Sequence, residues 1–161
     1  MDDWRSRIAD CGDQSLSTAL IGAIEELFTR DAHLLCVDVH ENTIAAMLRC
    51  YLQPRVGNAP SDGVYWDVDF DYNRRMATVK TIHGVQKVRP DLIVHRRNTD
   101  YNHLAIELKK GASDEPDAVD IMHLKAYRQP LEALGLGYRH ALFLRFGVGE
   151  DAGTVSCVQW V

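Results

Sequence analysis

The stretch from Arg89 to Lys109 constrains this chain more than any other. Two apolar segments, one carrying Leu92, Ile93 and Val94 and the other Leu104, Ile106 and Leu108, flank the polar turn Asn98-Thr99-Asp100. β-Prone runs on either side of such a turn predict a hairpin of strands Val88–His95 and His103–Lys109. With Thr99 at the midpoint, Asp91 falls opposite Glu107, and cross-strand neighbours have Cβ atoms roughly 5 Å apart. Alternation then puts Asp91, Ile93, His95, Ala105, Glu107 and Lys109 on one face. Leu92, Val94, Leu104, Ile106 and Leu108 share the other, which reads as core.

Carboxylates placed opposite each other repel, so a purely structural hairpin gains nothing from pairing them. A hard divalent cation removes the conflict, because Mg²⁺ favours carboxylate oxygen and keeps several waters. Lys109 points the same way, where an ammonium can orient a water nucleophile and stabilise charge on a phosphate. The alternative is a sheet face turned to solvent, with Lys109 neutralising Glu107.

The rest of the chain supplies a frame for that hairpin. Its 161 residues make one domain, 1–161. Apolar residues at Leu16, Leu20, Ala23, Ile24, Leu27 and Phe28 predict an added N-terminal helix at about 15–30, capped by Ser15 or Ser17. A second helix is predicted over Val39–Leu52, with Ile44, Met47, Leu48 and Tyr51 on one stripe and Pro54 as its stop. Val64, Trp66, Val68 and Phe70 alternate with polar neighbours and read as a strand, and the stretch Tyr72–Gln86 has room for a short extra strand at Ala77–Ile82 that is not counted in the element order. After the hairpin come a helix over Asp117–Leu134, bent or interrupted by Pro130, and strands at Tyr138–Phe146 and Thr154–Trp160. The order α-α-β-β-β-α-β-β predicts an α/β (α+β) fold, a mixed central sheet flanked by helices.

Hydrophobic residues make up 46% and charged residues 25%, which fits a soluble globular protein. No apolar run approaches the roughly 20 residues that span a bilayer, so no membrane is expected. The acidic start MDDWRSRIAD is not a secretory signal, and the four scattered cysteines read as free thiols, so a cytoplasmic location is expected. HxxxH, GxSxG and GxxxxGKS/T patterns are absent, which removes support for zincin, serine-hydrolase and P-loop chemistry.

The net charge of −5 does not favour nucleic acid. Its distribution does, since Arg74, Arg75, Lys80, Lys87, Arg89, Arg96 and Arg97 are interrupted by one acid, Asp91. That run is read as flanking the site and contacting phosphate, or as a solvated strand and loop face.

Pro90-Asp91 followed by Glu107-Leu108-Lys109 resembles the motif of the PD-(D/E)XK nuclease superfamily. The resemblance extends to element order and covers roughly Val39 to Phe146. It implies a restriction-endonuclease-like core and a nuclease hydrolysing phosphodiester bonds, most often in DNA, with Mg²⁺ or Mn²⁺ as cofactor. Carried onto this sequence, the implied catalytic residues are Asp91, Glu107, Lys109 and Glu41. The implied metal ligands are Asp91, Glu107, Leu108 (through its main chain) and Glu41. Glu41 has a second reading, closing a capping box with Asp38 as N-cap. Arg96 and Arg97 are candidates for substrate contact. So is Lys125, although a solvent-facing helix lysine explains it as well. Asp69 and Asp71 either approach the site or face water, and His95, on the Asp91 face, either touches substrate or is a surface histidine; the surface reading is preferred for all three. The rival function is a catalytically inactive nuclease fold, a nucleic-acid-binding or regulatory subunit of a larger complex, and a homodimer is a further possibility by fold analogy.

Overall fold

Apolar residues at helical spacing wind the N-terminal third into four helices. The computed structural model describes residues 3–57, 65–72, 74, 75, 78–84, 86–111, 113 and 116–161. In it α1 spans Trp4–Ala9, α2 Gln14–Arg30, α3 Ala32–Cys36 and α4 Glu41–Val56. The stripe predicted for α2 is buried, from Leu16 to Leu27. Its N-cap is Asp13, whose Oδ1 accepts the Leu16 N–H at 3.0 Å, and neither predicted serine caps it. A carboxylate is a strong acceptor for the unpaired first-turn N–H groups, and Asp13 lies two and four residues ahead of Ser15 and Ser17. Helices α1 and α3 are additional to those expected.

Pro54 does not stop α4, which runs on to Val56. A proline removes one N–H and so frees the carbonyl four residues back. Here that carbonyl belongs to the exposed Cys50, where water can satisfy it. Arg55 meanwhile donates to the Tyr51 carbonyl at 2.7 Å. Helix α4 is tied to the sheet by Gln53, which accepts the Val68 N–H at 2.8 Å and donates to the Trp66 carbonyl at 3.0 Å.

Five strands form the sheet: β1 Asp67–Phe70, β6 Leu92–His95, β7 Asn102–Lys110, β8 His140–Phe146 and β9 Val155–Trp160. They lie side by side in the order β1-β6-β7-β8-β9. Pairing is antiparallel except between β7 and β8, which are parallel. A parallel pair needs a long crossover, and α5, Asp117–Arg128, provides it. Between β1 and β6 lie two small hairpins, β2 Arg74–Arg75 with β3 Thr78–Val79 and β4 Thr81–Ile82 with β5 Gln86–Lys87. Val64 and Ala77, the starts of two predicted strands, lie outside the described residues. Helix α5 ends before Pro130 and does not bend through it; Gln129 is extended at φ −56°, ψ 142°, as a residue preceding proline prefers.

The predicted hairpin register holds along β6 and β7: Leu92 pairs with Ile106, Ile93 with Ala105 and Val94 with Leu104. It then slips, so that His95 pairs with Asn102 and His103 is an extra residue on β7. Both faces of the sheet are covered, as a sheet flanked by helices requires, and the alternative of a face turned to solvent does not hold. Leu92, Val94, Leu104, Ile106 and Leu108 pack with α1, α2 and α4, while Ile93 and Ala105 pack with Leu124 and Tyr127 of α5. Burying each large apolar side chain is worth about 1.5–3 kcal/mol, so two filled faces bind helices on both sides. The chain's two ends meet: α1 packs on β9, and Trp160 Nε1 donates to the Arg7 carbonyl at 2.9 Å. Among the described residues no helix is long and apolar enough to cross a membrane.

Candidate active site

Asp91 immediately precedes β6, Glu107 and Lys109 lie on β7, Glu41 opens α4, and Asp120 and Tyr127 come from α5. The hairpin register brings the Asp91 and Glu107 carboxyl groups into hydrogen-bonding contact. Glu107 is 6% exposed and Lys109 4% exposed, both beneath α5. Asp91 Oδ2 accepts the Leu108 N–H at 2.8 Å, so Leu108 takes part through its main chain while its side chain is core. Tyr127 Oη donates to Glu107 Oε1 at 2.8 Å.

Burial raises the pKa of both carboxyls, because a carboxylate loses hydration there. For Glu107 the neighbouring charge of Asp91 adds to burial and carries it well above the ordinary range. For Asp91 the bonds to Leu108 and Glu107 oppose burial, and the charges of Glu41 and Asp120 reinforce it. Both shifts disfavour ionising the two carboxyls together, and a positive charge between them would relieve that cost. Lys109 Nζ lies 3.1 Å from Asp120 Oδ2, which keeps its ammonium on the Glu107 side of the sheet.

Glu41 Oε1 accepts the Lys110 N–H at 3.1 Å, which docks the start of α4 on the end of β7. The capping box is not formed. The N-cap is His40, whose Nδ1 accepts the Asn42 N–H at 3.2 Å. Asp38 has φ +52°, outside the extended conformation an N-cap needs, and pairs with Lys110 Nζ at 2.8 Å.

The carboxyl oxygens gathered here are the donor type that a hard divalent cation takes. Asp91 and Glu107 would hold it, with Glu41 and Asp120 near enough to act on Asp91, and oxygen donors are what Mg²⁺ and Mn²⁺ take. Comparison of the chain with protein-family models, curated proteins and solved structures finds no match.

Several sequence expectations are corrected by position. Arg96 and Arg97 follow the far end of β6, roughly 16 Å along the strand from Asp91 at ~3.3 Å per residue. Arg97 is committed to Asp67 and Asp69, its Nε donating to Asp69 Oδ2 at 2.8 Å, and the Arg96 guanidinium stacks 4.5 Å from the Trp66 ring. Lys80 is buried, donating to Tyr138 Oη at 2.6 Å, and burial pushes its ammonium down to about 7. Side chains of Arg74 and Arg75 lie outside the described residues. Of the basic run, Lys87 is exposed on β5 and Arg89 is exposed two residues before Asp91; Arg89 pairs with Asp71 at 2.5 Å. Lys125 is exposed on α5.

His95 and Asp69 are not surface residues. His95 is 3% exposed and its Nε2 lies 2.8 Å from Asp69 Oδ2. Burial works to raise the pKa of Asp69, but the bonds from His95 and Arg97 outweigh it and hold the group well below the usual range. The two site residues missed from sequence are Asp120 and Tyr127. With Leu124 they recur at helical spacing on α5, and an acid and a phenol on a buried stripe were the available signal.

Proposed function

We propose that this chain is a divalent-metal-dependent nuclease of the PD-(D/E)XK type, hydrolysing phosphodiester bonds, most readily in DNA, with a restriction-endonuclease-like core. The observation that carries the reading is the buried contact of Asp91 with Glu107 beside Lys109. Two carboxyls pressed together beneath a helix oppose folding unless a proton or a cation joins them, and a lysine on the same face serves phosphoryl chemistry. A bound Mg²⁺ would supply Lewis acidity toward a phosphate oxygen. Lys109 would orient the attacking water and neutralise charge as the phosphorus becomes five-coordinate. Asp120 would hold the Lys109 ammonium in place, and Tyr127 would fix the rotamer of Glu107. Lys87 and Arg89 would draw the backbone phosphates toward the Asp91 end.

The test is incubation with linear, nicked, single-stranded and supercoiled DNA, and with RNA, with Mg²⁺, Mn²⁺ or EDTA. Metal-dependent cleavage abolished by Glu107→Ala is the expected result. A second reading, an inactive nucleic-acid-binding or regulatory module within a complex, is favoured by one observation: Glu107 and Lys109 already have protein partners in Tyr127 and Asp120. Metal binding without cleavage of any substrate would select it.

A further inference from the structure

On the opposite face of the sheet, at the other end of β7, three side chains meet that the nuclease reading does not use. The register slip after Val94 makes His103 a bulge residue, and a bulge re-aims its side chain at the expense of ladder hydrogen bonds. The His103 ring stacks on Trp66 at 4.9 Å and meets the His140 ring edge-on at 5.4 Å. His140 opens β8 beside Leu104. Asp13 spends Oδ1 on capping α2, which leaves Oδ2 directed at both histidines, 3.7 Å from His103 Nε2 and 3.8 Å from His140 Nε2. One ligand atom from each residue lies within 4.8 Å of the other two.

These separations are too long for hydrogen bonds, which close at about 2.7–3.2 Å. His140 Nε2 is buried with no hydrogen-bond partner among the described residues. Leaving such an atom unsatisfied costs about 1–3 kcal/mol, so packing alone does not account for the arrangement. A tetrahedral ion with bonds of about 2.0–2.1 Å holds its donors ~3.4 Å apart, so the two Asp13–histidine separations need contract by only a few tenths of an ångström, and the histidine pair closes from within 4.8 Å. The donor set, two imidazoles and one carboxylate, suits a borderline first-row cation and not Mg²⁺, which prefers oxygen.

We propose that Asp13, His103 and His140 form a three-ligand site for Zn²⁺, which clips the start of α2 to the β7–β8 end of the sheet. Beside the site, His140 lines a depression of about 440 Å³ together with Cys11, Arg128 and Arg139. The two arginines oppose a bare cation there, and the carboxylate of Asp13 offsets part of that cost. They also favour water or an anion as the fourth ligand.

The test is titration of the intact chain with Zn²⁺ and with Co²⁺, following heat and the visible absorption of the Co²⁺ form. One ion per chain at this site is expected, with the Co²⁺ band of an N/O-ligated ion, a raised melting temperature and no competition by Mg²⁺. His103→Ala and His140→Ala should each weaken Zn²⁺ binding at least ~100-fold, since even residues supporting a ligand cost 10–100-fold. Asp13→Asn keeps the helix cap, because Asn caps as well as Asp, and removes the anionic ligand; it decides the question if a histidine variant fails to fold. Glu107→Gln should leave Zn²⁺ binding unchanged, which separates this site from the nuclease reading. Absence of saturable Zn²⁺ binding, binding indifferent to Asp13→Asn, or binding lost on Glu107→Gln would overturn the assignment.

Discussion

Glu107→Gln probes the buried carboxyl pair directly. The substitution keeps the side-chain shape. The amide oxygen still accepts from Tyr127 Oη, now at 2.8 Å from the carboxylate, and the amide N–H groups can donate to Asp91. What disappears is the group whose pKa burial and Asp91 raise well above its ordinary value. The sign follows from linkage. Below the unfolded-state pKa of about 4.3, both folded and unfolded chains hold the proton and the stability is full. As pH rises from there toward the raised pKa, the unfolded chain gives up its proton and the folded one does not. Across that window the wild type, without metal, should lose about 1.4 kcal/mol of stability per pH unit relative to Glu107→Gln. Saturating Mg²⁺ should flatten the wild-type profile, because a cation compensates the ionised pair, and should leave the variant nearly unmoved. The assay is urea unfolding of both proteins in EDTA and in Mg²⁺, from pH 4.5 upward. Parallel profiles in EDTA would refute the raised pKa, and a wild-type profile insensitive to Mg²⁺ would refute the cation.

Lys109→Ala should lower cleavage by roughly two to four orders of magnitude while Mg²⁺ affinity holds or improves, since an ammonium is no ligand; calorimetry beside a cleavage time course separates the two. Tyr127→Phe removes a hydrogen bond that lowers the pKa of Glu107, so it should destabilise the fold by about 1–3 kcal/mol in urea unfolding and weaken Mg²⁺ binding at neutral pH. Neutralising Lys87 or Arg89 should reduce the salt dependence of DNA binding by about one unit of logarithmic slope each, whereas Arg97→Ala should leave the slope unchanged; fluorescence anisotropy across a salt series reads both.

How much of this was legible in sequence depended on range. The turn at Thr99 and strict alternation are local signals, and they fixed the pairing of residues 92–94 with 104–106. The same alternation failed beyond Val94, because a bulge has no signature in apolar pattern and His103 is neither apolar nor charged. Alternation also named two faces without saying what covers them. The cover is α5, which returns over the sheet to lay Tyr127 on Glu107 and Asp120 on Lys109, contacts separated by 20 and 11 residues. Helix starts were misplaced for a related reason. Asp13 and His40 outcompeted the serines and Asp38 through backbone conformation, and residue type alone does not report that. The basic run misled because strands have ends: Arg89 and Arg97 are close in sequence yet lie at opposite ends of β6.

The joining of Trp160 to the Arg7 carbonyl bears on the order in which the molecule can assemble. The α2–α4 pair and the β1-β6-β7 meander link segments that are near one another in sequence, so they can form early with little loop-closure cost. The seat of α1 cannot be completed until β9 has been made. On a ribosome adding ~5–20 residues per second, α1 could dock on α2, where Trp4 meets Phe28, while its β9 side waits for the partner strand. During that wait the partly made chain exposes both a helix and the unpaired edge of β8, the surfaces a holdase would grip. Moving β9 ahead of α1 by circular permutation would make that contact local and should speed refolding while leaving the finished fold unchanged.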